Sequence, residues 1–477
     1  MNQADLAGRT VLVAGLGVSG AAAARVLLAA GARVLLADAA EPAAVDDLAA
    51  AGATWLGRAD AVPDGVDLVV TSPGWRPDAP LLADAARRGT EVVGEPELAW
   101  RLRATALPPG ERPAPWLAVT GTNGKTTTVT MLEAVLQAAG LRAVAAGNVG
   151  RPLVEVVTAR DQGRPAYDVL AVELSSFQLH WSSSIAPAAA AVLNVADDHV
   201  DWHGSFAAYR DAKARILERA PVAVADAGDA VAAGLVAAHP RPVTVTLGEP
   251  GPGQLGVRDG LLVDRAFADD PAGEVLLERS TLTVPGPHNT VNALAAAALA
   301  RAAGVPAEAV GRGLAGFRGG AHRNVVVGTV AGVAYVDDSK ATNPHAAGAS
   351  LAAYPRVVWI AGGLLKGADV DPLVAAVAGR LAGVVLLGRD RAVLAASLAR
   401  HAPTVPVTEV PSGDHEGMGP AAEETMARVV AAAAALAGEG DTVLLAPAAA
   451  SMDVFTDYAH RGRAFADAVH ALAGGGG

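Results

Sequence analysis

The stretch TGTNGKTTT, residues 120–128, follows the apolar run WLAV and precedes a helical pattern. Gly121, Thr122, Asn123, Gly124, Lys125, Thr126 and Thr127 are the residue types that a phosphate-binding loop uses. Amide groups at a helix start cradle phosphates, a lysine reaches the terminal phosphates, and a threonine hydroxyl ligates Mg²⁺. The common spacing asks for a glycine at 119, where this chain has Val119, so the loop is shortened at its front. The bland alternative is a Thr/Gly-rich helix cap.

Phosphoryl transfer also needs an acid to hold a metal. Glu173 ends the apolar strand DVLAVE, where such a carboxylate would sit. The next strand ends in NVADDHVDWHGS; its Asp198 and His199 read as metal ligands or as a polar loop, and Asp201 and His203 as structural. VDDSKATNP packs Asp337, Asp338, Lys340, Thr342 and Asn343 directly after a strand, and a loop this dense in polar groups is usually a site. Arg323, in AHRN, is a candidate charge clamp on a transferring phosphoryl group. GLGVSG at 15–20, with Asp38 ending the next strand, fits a dinucleotide fingerprint. Another phosphate-bearing ligand, or a purely structural turn, fits it as well.

Lysine is scarce. Of 37 basic residues only Lys125, Lys213, Lys340 and Lys366 are lysines, and the rest are arginines. An amine can lose its proton and react, which a guanidinium does not do. A lysine retained in such a chain is therefore a candidate for a role closed to arginine, the alternative being chance survival on the surface.

The elements that position these groups alternate strand-like and helix-like stretches. TVLVAG, ARVLLAD, VDLVVTSPG and TEVVGE, with a helical run between the first two, imply a parallel βαβ sheet. ATALPPGERPAP at 104–115 reads as a linker. A second α/β segment contains YDVLAVE (167–173), AAAAVLNV (188–195) and the Ser-capped helix SFAAYRDAKARILERA (205–220). Short pieces between 222 and 284 suggest an antiparallel patch. FRGGAHRN at 317–324 reads as a hinge, and VAYVDDSKATN, RVVWIAGG, GVVLLG and DTVLLAPAAAS form a third α/β unit. The expected fold is therefore α/β in several domains, as 477 residues require. Apolar residues make up 52% of the chain, yet charges interrupt every long apolar stretch, so no membrane span is expected. The N-terminus has no signal-type pattern, there are no cysteines, and the net charge of −12 argues against a nucleic-acid partner. A cytoplasmic enzyme is expected.

TGTNGKTT (120–127), ELSSFQL (173–179), DDHVDWHG (197–204), PHNTVNALAA (287–296) and DDSKATN (337–343) together resemble the Mur ligases, over essentially the whole chain. The resemblance implies a Rossmann-like domain at 1–112 for the uridine-diphosphate substrate, a central P-loop ATPase-like domain at 113–316, and a Rossmann-like amino-acid domain at 317–477. It implies joining of D-glutamate to UDP-N-acetylmuramoyl-L-alanine, with ATP, through an acyl phosphate and a tetrahedral intermediate. Gly124, Lys125 and Thr126 align with the ATP phosphate site, and Glu173 with the ligand of one Mg²⁺. His199 and Lys213 align with the ligands of a second Mg²⁺, Lys213 as N6-carboxylysine. Asn292, Arg323 and Asp338 resemble nucleotide contacts, and Asn148 and Ser175 substrate contacts. Leu16, Val18, Ser19, Asp38, Ser72, Pro73 and Gly74 align with the uridine-diphosphate site, which displaces the dinucleotide reading. Lys340, Thr342, Lys366, Ser451 and Tyr458 align with the D-glutamate pocket. The chain departs from the family at Leu364, where an acid is common nearby, at Val325, where a glutamate often follows the arginine, and at Tyr458, often Phe. A monomer is expected.

Overall fold

The computed structural model describes residues 3–105, 107–108, 110–411 and 420–474. It divides into two compact units: residues 1–281 with 291–316, and residues 282–290 with 317–477. The first unit holds two large sheets and the second holds one. The linker expected at 104–115 includes positions 106 and 109, which lie outside the described residues; its other positions after Thr105 carry no helix or strand.

In the first sheet, parallel strands lie in the order Thr54–Trp55, Arg33–Ala37, Thr10–Ala14, Leu68–Thr71 and Glu91–Gly94. Val11, Leu12 and Val13 are all fully buried, which is why this strand reads as a continuous apolar run. The strand order reverses between Thr10–Ala14 and Leu68–Thr71. A doubly wound sheet offers a crevice beyond its strand ends at such a point, and GLGVSG leaves one of these strands while SPG leaves the other. The helix Val18–Ala29 buries Ala22, Ala23 and Ala24 completely. Alanine here lets the helix approach closely. Among the described residues no helix is long and apolar enough to cross a membrane.

The second sheet runs Glu274–Glu278, Leu261–Asp264, Gln254–Arg258, Pro242–Val245, Ala223–Asp226, Ala189–Val192, Trp116–Thr120, Val169–Glu173, Ala143–Gly147. Trp116–Thr120 is buried along its whole length between two parallel neighbours. The antiparallel patch expected between 222 and 284 is present over 254–278, but the strands before it correct the sequence reading. Ala223–Asp226, Pro242–Val245 and Gln254–Arg258 pair in parallel, and only the last three strands are antiparallel. The helix Ala230–Val236 is the reason: it supplies the crossover that a parallel pair requires.

The helix Glu95–Leu102 binds the two sheets of this unit together. Glu97 is fully buried and accepts hydrogen bonds from Ser183 N (3.0 Å), Ser184 N (3.0 Å), Ser184 Oγ (2.6 Å) and Arg101 Nε (2.8 Å). Burial works to raise its pKa, but these donors win and hold it below the ordinary value.

The second unit has Val325–Val330, Val333–Asp337, Thr442–Leu445, Val357–Gly362, Leu381–Leu387 and Val407–Glu409 side by side. The first pair is antiparallel and the others are parallel. Apolar clusters cover the sheet, with Trp359, Val336 and Leu444 in one and Ile360, Val443 and Leu445 in another. The loops bearing Lys340, Ser451, Lys366 and Asp390 follow four adjacent parallel strands, so they emerge at one sheet edge.

Glu95, beside the Glu97 clamp, makes the stability of the first unit pH-dependent. Its Oε1 accepts the Val154 N–H at 2.6 Å, while Oε2 is buried without a hydrogen-bond partner. Burial raises its pKa from 4.5 to about 7. The unfolded chain therefore loses this proton first, and stability present below the lower value falls as pH rises through that window. Glu95→Gln keeps an acceptor and removes the titration. It should be more stable than the parent by on the order of 3 kcal/mol at about pH 8, and equal to it near pH 4. Urea melts at both pH values check this; equal stability at the higher pH would refute it.

Candidate active site

The strand Trp116–Thr120 delivers the loop 121–124 to the start of the helix Lys125–Ala138. Gly124, at φ +84°, forms the N-cap, and a Cβ there would lie 2.4 Å from Asn292 Oδ1. Asn292 is buried beneath the loop and its Oδ1 also accepts from Thr128 Oγ1 at 3.3 Å. Asn194 braces the other side, accepting Asn123 N–H at 2.8 Å and donating to Asn123 O at 3.1 Å. The first-turn amides of the helix are thus held at one place, with its positive dipole end behind them. Thr127 lies on that first turn.

Three side chains with metal or phosphate chemistry converge here. Lys125 Nζ donates to Gly121 O and Thr122 O, both at 2.9 Å. Thr126 Oγ1 donates to Glu173 Oε2 at 2.7 Å, and Asn148 Nδ2 donates to Glu173 Oε1 at 2.8 Å. Glu173 is 2% exposed. Its strand neighbour Gly147 has no room for a side chain, since a Cβ would lie 2.2 Å from Glu173 O. Ser175 caps the next helix, Ser176–His180, through Gln178 N.

Lys213 reaches the same loop from the helix Phe206–Ala214. Its Nζ donates to Gly121 O at 2.7 Å and sits 4.5 Å from the centroid of Tyr209, one turn earlier on that helix. The side chain is buried, and burial first, then the charge of Lys125, lowers its pKa well below 10.5. Tyr209 Oη in turn lies 2.9 Å from Thr122 Oγ1. His199 has left-handed backbone, φ +54°, and its ring packs on Phe177 at 4.8 Å. About half of the side chain is exposed, yet partial desolvation of the ring lowers its pKa; Asp198, 3.5 Å from Nδ1, opposes this, and the charges of Lys213 and Lys125 reinforce it. A neutral imidazole keeps a lone pair for a cation. Asp201 and His203 have structural partners: Asp201 O accepts from Arg76 Nη1 at 2.9 Å, and His203 Nε2 lies 3.0 Å from Ser176 Oγ.

The glycine turn of the first sheet is a separate cradle in the same unit. Gly15 has φ +86°, and a Cβ on Gly20 would lie 1.8 Å from Gly15 O, so the helix can start only with glycine there. Ser72 Oγ donates to Gly15 O at 2.7 Å, joining the SPG loop of Pro73 and Gly74 to the turn. Asp38 Oδ2 accepts from Leu16 N at 2.6 Å. Leu16 is buried, whereas Val18 is 76% exposed at the mouth and Ser19 is half-buried.

In the second unit Lys340 Nζ lies 3.7 Å from the centroid of Tyr458, a cation–π geometry that the ring of a phenylalanine would also offer. Thr342 N donates to Lys340 O at 2.8 Å. Asp338 is half-buried, and desolvation of its carboxylate raises its pKa to about 6 against the opposing charge of Arg323. His322 Nδ1 lies 2.6 Å from Asp337 Oδ2. Arg461, 1% exposed, donates to Ser339 Oγ, Ser339 O and Ala449 O, tying the Lys340 loop to the Ser451 loop. Leu364 and Ala450 exchange two hydrogen bonds, at 2.8 and 3.0 Å, which brings Lys366 and Ser451 into neighbouring loops.

Sequence reasoning missed Asn194, Tyr209 and Arg461. Tyr209 had a usable signal, four positions before Lys213 on one helix face. Asn194 lies just past a strand end, but nothing local marks it as the brace of a loop 71 residues away. A buried arginine among 32 others carries no signal.

A phosphate loop on a parallel sheet, a second glycine turn at a switch point and a lysine-bearing third sheet define a multidomain nucleotide-dependent enzyme of the α/β class. Residues 9–94 match the Mur ligase MurD-like N-terminal domain, 119–300 the Mur ligase middle domain, and 322–449 the Mur ligase glutamate ligase domain. A curated relative, the UDP-N-acetylmuramoylalanine–D-glutamate ligase of Thermobifida fusca, is 54% identical over 98% of this chain and 100% of its own length. Among solved structures, the UDP-N-acetylmuramate-alanine ligase MurC of Thermotoga maritima aligns with a TM-score of 0.58 at 19% identity, covering 97% of this chain and 99% of that one. MurF ligase of the same organism, in complex with ADP, aligns with a TM-score of 0.56 at 16% identity, covering 92% and 96%. The chain belongs to the Mur ligase family, as a MurD-like member with the family's three-domain α/β fold.

Gly124 gives this site its own test. Gly124→Ala forces a Cβ-bearing residue to φ +84° and against Asn292. A strain of about 1–2 kcal/mol at the loop should weaken binding of a non-hydrolysable ATP analogue about tenfold or more, read by titration calorimetry. Unchanged affinity would show that the loop does not cradle phosphate.

Proposed function

We infer that this chain joins D-glutamate to UDP-N-acetylmuramoyl-L-alanine at the expense of ATP, a ligase step of peptidoglycan precursor synthesis. The observation that carries this reading is the full-length likeness to D-glutamate-adding relatives. The hydrogen-bonded set Lys125, Thr126 and Glu173 supports the phosphate half of the chemistry.

A carboxylate is a poor electrophile until phosphate becomes its leaving group. In the proposed sequence a substrate carboxylate oxygen attacks the γ-phosphorus of ATP and ADP departs. The amine of D-glutamate then attacks the acyl phosphate. The tetrahedral intermediate expels inorganic phosphate, and the amine loses a proton to give the amide. Lys125 and the helix amides carry charge on the terminal phosphates. Asn292, Arg323 and Asp338 contact the nucleotide, and Asn148 and Ser175 the substrate near its reacting end. Leu16, Val18, Ser19, Asp38 and Ser72 to Gly74 hold the uridine diphosphate. Lys340, Thr342, Lys366, Ser451 and Tyr458 hold D-glutamate.

The residues present fit Mg²⁺. Thr126 and Glu173 offer hard oxygen donors at one place. Among the described residues no group of three or more acidic or histidine side chains could hold a metal alone, and Mg²⁺ generally completes its shell with phosphates and water. When bound, Mg²⁺ neutralises charge on the phosphates. Thr126 and Glu173 would hold one ion, and His199 with the N6-carboxylate of Lys213 a second. Lys213 suits that modification: a neutral amine attacks CO₂ to form a carbamate and releases a proton, and its lowered pKa supplies the neutral amine. We further propose domains at 1–112, 113–316 and 317–477 for the uridine-diphosphate substrate, ATP and the amino acid, in a cytoplasmic monomer.

Phosphate release, measured with one substrate omitted at a time, should require ATP, UDP-N-acetylmuramoyl-L-alanine and D-glutamate together. Equal turnover with L-glutamate would sink the assignment of the amino acid. Lys213→Ala should lose activity roughly a hundredfold or more, and short carboxylates should partly restore it. A fully active Lys213→Arg enzyme would rule out an essential carbamate.

A further inference from the structure

Lys366 occupies a conformation that lysine does not favour. The chain leaves the strand Val357–Gly362, makes the Leu364–Ala450 pair, and turns at Leu365 to Ala368, closed by Ala368 N–H on Leu365 O at 3.0 Å. Lys366 has φ +53° and Gly367 φ +79°. Positive φ at both central residues is the type I′ pattern, which suits glycine, asparagine or aspartate at its first central position. A side chain is kept in that region only where its surroundings over-determine it.

The surroundings that do so centre on Asp390. Its Oδ2 accepts the Leu365 N–H at 2.7 Å, and its own N–H donates to Gly363 O at 3.1 Å, so it grips the chain on both sides of Leu364. The ordinary reading of Asp390 is a helix cap, because it is the N-cap of Arg391–His401. An aspartate there normally gives its carboxylate to the helix's own first amides. This one makes no side-chain cap bond; its carboxylate goes to the lysine turn instead. Asp453, two residues beyond Ser451, closes the same assembly: its Oδ2 accepts from Arg389 N at 2.7 Å, where a Cβ on Gly388 would lie 2.6 Å away.

We propose that Asp390 is a positioning residue for the amino-acid substrate, its carboxylate holding the left-handed turn that presents Lys366. The proposal rests on Lys366 contacting D-glutamate, as in the function inferred above. It adds a specific support that lies outside the lysine and serine loops themselves.

The test compares Asp390→Ala, Asp390→Asn, Lys366→Ala and the Asp390→Ala/Lys366→Ala double variant in phosphate release. KM is measured separately for D-glutamate, ATP and the uridine-diphosphate substrate. The parent enzyme comes first: if its phosphate release does not depend on D-glutamate, the functional reading has failed and not the positioning role. With that dependence present, Asp390→Ala should raise the KM for D-glutamate about tenfold or more, with the other two KM values changed less than about twofold. Asp390→Asn, which retains an acceptor oxygen, should recover most of the loss. Once Lys366 is alanine, removing Asp390 should add little, because the two act as one unit. An unchanged KM for D-glutamate in Asp390→Ala, equal losses for all three substrates, or additive losses in the double variant would each overturn the proposal. Should Asp390→Ala fail to fold, Asp390→Glu, which shifts the acceptor by one methylene, takes its place with the same expected and overturning results.

Discussion

Lys213 and Lys125 donate to the same carbonyl oxygen, that of Gly121, at 2.7 and 2.9 Å. Two ammonium groups so close repel, and one of them is almost wholly cut off from water. A buried positive charge beside another is tolerable only if it is lost or met by negative charge. Both routes lead to the same neighbourhood. Terminal phosphates on the helix amides would bring the negative charge to Lys125, and a carbamate would turn Lys213 from cation to anion. The glycines, the Asn194 brace and the buried strand beneath exist to hold this electrostatic tension in one place.

The sheets decide where such a place can be. In every unit the polar residues leave the C-terminal ends of adjacent parallel strands, where chain direction delivers loops side by side. Trp116–Thr120 lies between the strands that end in Glu173 and lead to Asn194 and His199. The neighbouring strands of the third sheet do the same for Lys340, Ser451 and Lys366. Burial on both faces makes these strands apolar throughout, so chemistry is confined to their ends.

That division also explains what could be read from residues alone. Phosphate-loop chemistry is local: glycine, lysine and threonine act within one turn, and their spacing is visible. The lysine shortage marked four positions at the sites described, because a codon bias against lysine leaves it where an amine has a use. Parallel pairing after residue 222 was not visible, since short strands separated by proline and glycine look alike in either direction. The helix Ala230–Val236, which decides between them, is a weak alanine-rich pattern. Asn194, Arg461 and Asp390 were invisible for a different reason. Each acts through bonds to distant backbone, and backbone has no sequence.

Glu97 separates two meanings of the word domain. Family likeness and the proline-rich stretch after Thr105 both suggest that the first sheet ends where the linker begins. Yet the carboxylate of Glu97 closes five donors, four of them on Ser183 and Ser184 beyond that linker. Severing the chain at the linker would leave the Glu97 carboxylate with Arg101 alone on one fragment and the Ser183 and Ser184 donors without an acceptor on the other. The inherited module and the physical folding unit therefore do not share an edge. Work that dissects this enzyme into pieces has its natural cut elsewhere, at the boundary near residues 281 and 317, where the compact units themselves divide.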